Sequence, residues 1–446
     1  MTGPRTSGSR RRGRGGIIET ARAKPWSARD TLLRRYRAVR ACSEALARPL
    51  SPEDQQIQSM PDASPTKWHL AHGSWFFETF VLKEHLDGYA PFDADFAYLF
   101  NSYYEALGPR HARPSRGLIT RPSLEEVLAY RRHVDDAMAR LIGSPAPDAE
   151  ESLAARITLG LHHEQQHQEL LLMDIKHAFS CNPLYPAYEP PVAAAMGTAA
   201  PLRWVGVAGG IRAIGHGGGE FAFDNEGPRH EVMLRDFRIA SRLATNGEYL
   251  AFMRDGGYAR PECWFMDGIE TVRREGWDAP SYWREIDGAW YEFTLAGLRP
   301  LDPAVPVSHV SFYEAAAYAA WAGKRLPTEA EWECAAAALP ADIEQGANLL
   351  GSGPLQPAPA KDRGELPGQL IGDLWEWTRS AYADYPGFRP VEGAIGEYNG
   401  KFMANQMVLR GGSFATPPGH IRVTYRNFFY PHQRWMFSGI RLAEDA

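Results

Sequence analysis

The chain has 446 residues, of which 44% are hydrophobic and 23% charged, and its formal net charge is −6. This length exceeds one ordinary hydrophobic core, so two domains are expected, and the composition is that of a globular protein rather than a disordered one. No apolar run approaches the ~18 residues needed to span a membrane, which argues against a membrane role. Four scattered cysteines without C-x-x-C spacing favour a reducing cytoplasm over a disulfide scaffold or a cysteine-ligated zinc.

Basic residues are concentrated at the amino terminus. Residues 1–24 hold seven Arg or Lys against one Glu, which leaves the rest of the chain strongly acidic. Glycine and serine are interleaved with the arginines, so residues 1–25 are predicted to form a disordered, solvated tail. The segment lacks the aromatic residues of a nucleic-acid site and the apolar stretch of a secretory signal, so no nucleic-acid partner is expected.

The sequence is helical in pattern from about Trp26 to His177, where apolar residues recur at steps of three or four. Ser123, followed three residues later by Glu126, predicts a capping box at the start of one helix. The simplest count is four helices. Residues 26–179 are therefore predicted to form a four-helix bundle, a scaffold that can build metal sites from inward-facing side chains.

Three histidines are the strongest functional signal: His72 on the second predicted helix, and His163 and His167 on the fourth. The spacing of His163 and His167 puts both imidazoles on one helix face, about one turn apart. With His72 from another helix they predict a facial metal site with open positions. Such a site suits a redox-active metal that must bind substrate and oxygen together.

Two other interpretations fit the same motif. A histidine pair at this spacing can belong to a solvated helix face. The segment also matches the zinc metalloprotease signature H-E-x-x-H, in which Glu164 would be the general base. Glu164 and Gln166 flank the histidine pair on opposite sides, so the motif alone permits either to face a metal. His69 and His162 lie ~60–100° or more from the ligand positions on their helices and are expected to be packing histidines.

A second region follows a change in composition. Residues 180–203 contain five prolines and an alanine run, which predicts an extended linker. Residues 204–446 show short strand patterns, frequent glycine and proline, and many aromatic residues. They are predicted to form an α+β domain with a loop-rich surface. Its best helical segments are Thr245–Arg254, Phe312–Ala322 and Thr328–Ala337.

Taken together, the motifs resemble known families. Ser64–His72 and His163–His167 resemble the metal-binding halves of a DinB-type bundle. Four segments of the second region resemble the formylglycine-generating-enzyme fold, a C-type-lectin-like domain: Ala244–Tyr249, Gly323–Glu333, Gly372–Thr378 and Leu409–Phe414. The two modules in this order resemble the ergothioneine-pathway sulfoxide synthases, or hercynine oxygenases. The resemblance covers residues 28–443.

This resemblance implies a cofactor and a reaction. It implies that His72, His163 and His167 bind non-heme Fe(II), with O2 as co-substrate. The implied reaction is C–S bond formation at the imidazole C2 carbon of hercynine (trimethylated histidine) with a thiol, giving a sulfoxide. Formylglycine-generating enzymes use a cysteine pair near the C-terminus, but no cysteine follows Leu409, so the second domain is expected to bind substrate instead. A zinc hydrolase and a non-catalytic binding module stay open as alternatives.

The resemblance also suggests roles for residues around the metal. Gln166 matches a glutamine that contacts the substrate imidazole ring. Tyr103 and Tyr104 match a Tyr-Tyr motif, in which one phenol would donate a proton during the oxygen chemistry. Adjacent residues in an extended segment point opposite ways, so one tyrosine is expected to act while its neighbour packs.

Two arginines and a C-terminal loop are expected to hold the substrates. Arg113 and Arg116 match arginines that bind a carboxylate through paired N–H donors. Asn427 matches an asparagine that holds the carboxylate or betaine end of the substrate. The face of Phe428 is expected to receive the trimethylammonium group by cation–π attraction.

The partners are thus expected to be small molecules: hercynine and a sulfur or selenium compound. Relatives of the mycobacterial type have an aspartate where this chain has Phe429, and that aspartate contacts γ-glutamylcysteine. Cysteine is therefore preferred over the dipeptide as sulfur donor. The scaffold also serves the selenoneine synthases, which couple hercynine to a selenosugar, and no residue of this sequence excludes that alternative.

Overall fold

The computed structural model describes residues 28–144, 150–190, 197–340 and 342–446. The basic tail predicted for residues 1–25 lies outside these ranges. Within them, a helical bundle precedes a domain of short strands and helices, so the predicted fold class is confirmed.

Four long helices build the amino-terminal bundle: α1 (Ala28–Ala47), α2 (Thr66–Phe77), α3 (Leu124–Gly143) and α4 (Glu150–Ser180). Ser123 and Glu126 form the predicted capping box, because each side chain accepts a hydrogen bond from the other residue's backbone N–H. Helix α2 continues through a π-helical turn, and short helical turns follow it before α3: Glu78–Leu82, Lys83–His85, Phe96–Leu99, Glu105–Leu107 and Arg113–Leu118.

Helix α2 is the central element of the bundle. All of its residues are buried, and it packs against both α3 and α4. A helix buried on every side directs even its polar side chains into the interior. His72 therefore lies inside the bundle, and α4 brings His163 and His167 to the same depth.

The second domain consists of short strands in small sheets. The sheet orders are β1-β4-β12, β10-β9-β8-β11, β2-β3 and β5-β6-β7, and every pairing is antiparallel except that of β8 with β11. The strands are β1 (Trp204–Val207), β2 (Gly210–Ile214), β3 (His230–Leu234), β4 (Phe237–Ala240), β5 (Trp283–Ile286), β6 (Ala289–Thr294), β7 (Gly297–Pro300), β8 (Trp375–Ala381), β9 (Met407–Arg410), β10 (Asn427–Phe429), β11 (Ser438–Gly439) and β12 (Ala443–Asp445).

Helices cover these sheets: α5 (Asn246–Arg254), α6 (Met266–Glu275), α7 (Phe312–Trp321) and α8 (Glu329–Ala336). The three helices predicted from sequence correspond to α5, α7 and α8. Helix α6 was not predicted. It is short and mostly polar, and its buried aliphatic side chains are Ile269 and Val272.

Several charged residues of the sequence motifs in this domain form buried ion pairs. Arg441 pairs with Glu376 at 2.6 Å, and Arg410 pairs with Glu333 at 2.9 Å, with all four side chains buried. Buried charges of opposite sign must be paired in this way to offset the cost of leaving water. These motif residues therefore stabilise the fold and are not candidates for chemistry.

The two domains meet along helix α4. Glu169 accepts hydrogen bonds from Trp375 Nε1 at 2.8 Å, Ser413 Oγ at 2.6 Å and Thr416 Oγ1 at 2.8 Å. Three donors from the second domain thus satisfy one buried carboxylate of the bundle. This contact holds the second domain against the part of helix α4 that carries the histidines.

No helix among the described residues is both long enough and apolar enough to cross a membrane.

Candidate metal centre

Three imidazoles converge in the core of the bundle. One nitrogen from each of His72, His163 and His167 lies within 4.8 Å of the others, and this is the one such group of histidine, cysteine or acidic side chains in the described ranges. His72 and His163 are fully buried, and His167 is partly exposed toward the second domain. The spacing argument from the sequence therefore agrees with the positions of these side chains.

Aromatic side chains fix the orientation of two of the rings. The His72 ring lies nearly parallel to Trp68 and to Trp75, with ring centroids 4.6 and 5.3 Å away. Phe76 stacks on His163 at 4.5 Å. Rings held by such packing cannot rotate freely, so their nitrogens point in fixed directions.

The nitrogens of His72 and His163 are a good match for a bound cation. His72 Nδ1 lies 2.6 Å from the carbonyl oxygen of Phe100, which leaves a lone pair on Nε2. That Nε2 is 3.1 Å from His163 Nε2, while His163 Nδ1 is buried without any hydrogen-bond partner. Two ligand nitrogens ~2.1 Å from one metal and at right angles to each other would be about 3.0 Å apart. The residues present therefore fit a divalent transition metal.

The third ring is oriented by a chain of hydrogen bonds. His167 Nδ1 is 2.8 Å from His69 Nδ1, and His69 Nε2 is 3.0 Å from Asp174 Oδ2. Because an ionised Asp174 can only accept, a proton on His69 Nε2 leaves His69 Nδ1 as the acceptor for His167 Nδ1–H. His167 Nε2 then keeps its lone pair for a metal. His69, expected from sequence to be a packing histidine, thus contacts the site directly.

The pKa values of the three imidazoles favour the neutral form that binds metals. Burial lowers the pKa of His163 to about 3. Burial, and next the neighbouring imidazole of His163, also lower the pKa of His72 and of His167. Each ring therefore keeps a lone pair available at neutral pH.

Glu164 faces away from the histidines. Its carboxylate contacts Arg40 Nη1 at 2.8 Å, Arg131 Nη2 at 3.0 Å and Ser43 Oγ at 2.7 Å, on helices α1 and α3. Burial by itself would raise the pKa of Glu164, but Arg40 and Arg131 outweigh it and lower the pKa to about 2. A carboxylate in this environment is a structural anion and is not positioned as the general base of a zinc hydrolase.

Gln166 lies on the opposite side of the histidine pair and faces the second domain. Its Nε2 donates to Tyr425 Oη at 2.6 Å, and its Oε1 accepts from the hydroxyl of Tyr398. The ring of Tyr398 is 5.7 Å from that of His163. Two tyrosines of the second domain therefore fix the amide beside the metal-binding face.

Tyr103 and Tyr104 do not point in opposite directions, so that expectation is wrong. Their rings stack on each other at 4.7 Å. Tyr104 immediately precedes a 3-10 turn and has ψ near 87°, so the alternation of an extended strand does not apply. Tyr104 packs on Trp75 at 5.5 Å, while Tyr103 packs on Phe402 of the second domain at 5.1 Å.

The two candidate arginines have different environments. Arg116 is buried, and its guanidinium lies 3.4 Å above the Trp68 ring, on the aromatic stack that holds His72. It donates to Ser64 Oγ at 2.9 Å and to Ser102 Oγ at 3.3 Å, and no carboxylate of the described residues lies within 4.0 Å of it. Arg113 is exposed and donates to the carbonyl of Asp62, outside this environment.

The C-terminal loop places Asn427 and Phe428 on opposite faces of strand β10. Asn427 Oδ1 accepts from the backbone N–H of Phe428 at 2.9 Å, which leaves the side-chain NH2 group without a protein acceptor in the described ranges. Phe428 stacks on Tyr382 at 4.0 Å, so that face of its ring is covered. Phe429 packs on Trp435 at 5.4 Å.

Several residues of the site had no signal in the sequence. Trp435 Nε1 donates to Asp174 Oδ1 at 3.2 Å, so a residue of the second domain also holds the His69–His167 chain. Tyr398 comes from a loop with no motif of its own. Helix periodicity could have suggested Asp174, which lies seven residues, or about two turns, after His167 on the same helix. It could also have suggested His69, which lies three residues before His72.

Comparisons with known proteins agree with this arrangement. Residues 35–171 match the DinB superfamily, and residues 195–348 and 367–446 match the Sulfatase-modifying factor enzyme 1-like domain. The hercynine oxygenase of Mycolicibacterium smegmatis is 33% identical over 423 residues, covering 87% of this chain and 93% of that protein. The hercynine oxygenase of Mycolicibacterium thermoresistibile is 34% identical, covering 86% and 88%. A formylglycine-generating enzyme of Streptomyces coelicolor is 31% identical over 58% of this chain.

The fold and the two family matches together define a two-domain protein. A DinB-superfamily bundle is joined to a sulfatase-modifying-factor-like domain. More particularly, the chain belongs to the hercynine oxygenase family, because relatives at 33–34% identity are covered over most of their length. The resemblance drawn from the sequence motifs is thereby confirmed.

Proposed function

We propose that this chain is an O2-dependent sulfoxide synthase acting on hercynine. A C–S bond forms between the imidazole C2 carbon and the sulfur of a small thiol. The C2–H and S–H hydrogens leave with one oxygen atom of O2 as water, and the other oxygen atom stays on sulfur. The observation that supports this most strongly is the convergence of three neutral imidazoles beside the domain interface, with Tyr398 and Tyr425 arranged around Gln166.

The proposed metal is Fe(II), held by His72, His163 and His167. When bound it would supply one-electron chemistry and open positions for the imidazole, the thiolate and O2. The protein keeps the ligand lone pairs directed inward. Phe100 holds the proton of His72 on Nδ1, and Asp174 acts through His69 to hold the proton of His167 on Nδ1. The aromatic stack around His72 excludes water from that side of the site.

Gln166 and Asn427 are proposed to orient hercynine. The amide of Gln166 is fixed by two tyrosines, so it presents one orientation to a substrate ring rather than a mixture. Asn427 and Phe429 are alternate residues of strand β10, and Phe429 packs on Trp435, which donates to Asp174 behind the histidines. Alternate residues of an extended segment share a face. The free NH2 group of Asn427 is therefore well placed to donate to the betaine carboxylate. Phe428 faces the other way, so its proposed cation–π role has little support.

Arg116 is proposed to hold the carboxylate of the thiol substrate. A buried guanidinium without an acidic partner is unusual, because removing an unpaired charge from water is costly. The Nε–H of Arg116 is also buried and unpartnered. A substrate carboxylate would satisfy both needs through paired hydrogen bonds. Arg113, exposed and bonded to a backbone carbonyl, would contribute only long-range attraction.

One of Tyr103 and Tyr104 is proposed as the proton donor. Burial raises the pKa of both phenols, so both hydroxyls stay protonated and able to donate at neutral pH. The two hydroxyls interact, with that of Tyr104 directed at the Tyr103 oxygen, so either phenol can supply the proton. Separate substitution by Phe identifies the donor. Full sulfoxide yield in both single variants and in the double variant would refute the role.

Cysteine is the proposed sulfur donor, and the proposed compartment is a reducing cytoplasm, consistent with four free thiols. The test uses anaerobic, Fe(II)-loaded protein given hercynine and O2 with cysteine, γ-glutamylcysteine or a selenosugar in turn. Products are identified by mass spectrometry. Product from the dipeptide alone or from the selenosugar alone would refute the cysteine assignment and leave the iron site standing. Absence of O2 consumption with all three would refute the sulfoxide synthase.

A further inference from the structure

A cavity with several charged lining residues lies between the domains, beyond the histidines along helix α4. Its volume is about 220 Å³, below the ~300–1,000 Å³ typical of sites for drug-sized ligands. Lys176 of α4 forms one wall. Lys176 follows His167 by nine residues, which is ~13 Å along a helix axis, so the cavity is separate from the metal centre. The other walls belong to the second domain and include Asn246, Glu292, Arg299, Asp302 and His309.

Lys176 is buried without an anionic partner. Its Nζ lies 2.6 Å from His309 Nε2 and 4.8 Å from the centre of the Tyr282 ring. No carboxylate of the described residues is within 4.0 Å of it. An ammonium group has three donors and needs acceptors for all of them when it is removed from water. Burial lowers the pKa of Lys176 to about 8, and the negative charge of Glu292 across the cavity offsets only part of that shift.

Two buried acceptors of the second domain also line this cavity. Glu292 is buried, and its Oε1 accepts a hydrogen bond from Ser308 Oγ at 2.9 Å. Asn246 is 1% exposed, and its side-chain oxygen has no hydrogen-bond partner. Lys176 and Glu292 therefore line one cavity with opposite charges that attract each other but form no direct ion pair within 4.0 Å.

The backbone at this cavity is also constrained. His309 has φ of +59°, in the left-handed region that residues other than glycine seldom adopt. Its backbone N–H donates to the carbonyl of Ser438, and its carbonyl accepts from the backbone N–H of Ser281. These two hydrogen bonds hold the His309 ring against Lys176. Conformations of this kind persist only where surrounding contacts impose them, and they are frequent at ligand sites.

We propose that this cavity binds a small zwitterion of the α-amino acid class, with its carboxylate on Lys176 and its ammonium group on Glu292 and Asn246. A ligand with one charge of each sign satisfies both walls, whereas a simple anion or a simple cation leaves one wall unpaired. Because Lys176 belongs to the bundle and the acceptors belong to the second domain, the bound ligand joins the two domains. It thereby stabilises the interface that also forms the histidine site.

The experiment measures binding to the full chain by calorimetry, before and after removal of metal with a chelator. Glycine, serine, glutamine and glutamate are compared with acetate and methylammonium, which carry one charge each. We expect at least one amino acid to bind in both metal states, and acetate and methylammonium to bind at least about tenfold more weakly. Binding in the chelated protein distinguishes this site from the metal centre, so the result is independent of the proposed function.

Variants locate the site. Lys176→Met and Glu292→Gln should each weaken binding by about thirtyfold or more, the usual consequence of removing one partner of a buried charge pair. Exposed Lys83→Met is the matched control and should bind as the parent does. If Lys176→Met does not fold, Glu292→Gln and Asn246→Ala decide the matter. The proposal is overturned if no amino acid binds, if acetate binds as tightly as the amino acids, or if these variants bind normally.

Discussion

The two faces of helix α4 differ in whether their buried polar groups have hydrogen-bonding and charged partners. On one face, Glu164 meets two arginines and a serine, so its charge and its hydrogen-bonding capacity are fully matched. On the other face, His163 presents Nε2 to His72 of helix α2 at 3.1 Å, and His163 Nδ1 has no partner among the described residues. A matched cluster stabilises the fold, whereas an unmatched one is expected where a ligand supplies the missing charge.

The largest effect is expected from removing a metal-binding imidazole. His163→Ala should reduce the metal content to background and lower O2-dependent turnover by more than the ~10–100-fold that outer-shell changes cause. The bundle should stay folded, because the protein itself gives His163 no strong hydrogen bond to lose. Metal analysis, O2 consumption and circular dichroism measure the three quantities. His133→Ala, on the outer side of α3, is the control.

Glu164→Gln should lower the stability of the fold and leave metal binding intact, the reverse of the result expected for His163→Ala. Removing the carboxylate leaves Arg40 and Arg131 buried without their partner, which should lower the free energy of unfolding by about 3–5 kcal/mol. Metal content and turnover of the folded protein should be nearly unchanged. Urea denaturation measures the first and metal analysis the second, with exposed Glu125→Gln as control. Loss of a peptidase activity, with unchanged stability, would instead favour the zinc hydrolase.

The same carboxylate predicts how stability depends on pH. The pKa of Glu164 is lowered from 4.5 to about 2, so its contribution is fully present above pH 4.5 and is lost as pH falls toward 2. At 1.36 kcal/mol per pKa unit, this loss is about 3 kcal/mol. Urea denaturation at successive pH values in that window should show a shallower slope for Glu164→Gln. Equal slopes for the variant and the parent would contradict the assignment.

A smaller effect is expected behind the metal centre. Asp174→Asn removes the acceptor that orients His69 and, through it, His167, so the affinity for Fe(II) should fall by ~10–100-fold. Competition with a chelator measures this affinity without turnover. Asp136→Asn, an exposed change on α3, should leave it unchanged. An unchanged affinity in Asp174→Asn would mean that the hydrogen-bond chain does not position the ligand.

The smallest effect is expected at the contact between domains. Tyr425→Phe removes one hydrogen bond that fixes the Gln166 amide, a change of about 1 kcal/mol. KM for hercynine should rise about fivefold while kcat changes little, because an orienting contact is lost and no reacting group is. Tyr430→Phe, at an exposed ring of the same C-terminal segment, is the control. A fall in kcat with unchanged KM would show that Tyr425 takes part in the chemistry.

Much of the site could be predicted from local patterns. The His163 and His167 pair follows from helix periodicity alone, and the capping box at Ser123 follows from a three-residue spacing. The helices α5, α7 and α8 begin after capping residues that the sequence displays. These features depend on residues within one or two turns of each other, so the chain itself specifies them.

Contacts between segments that are distant in sequence could be found only from the tertiary structure. Whether Glu164 or Gln166 faces the metal is decided by Arg40, Arg131 and Tyr425, all far from α4 in sequence. The direction of Tyr103 and Tyr104, and the burial of Arg116 but not Arg113, depend on turns whose geometry no periodicity encodes. The sequence by itself determined which residue types are present and how the helices space them. Packing between the two domains decided which of them lack a partner, because that depends on every neighbour in space.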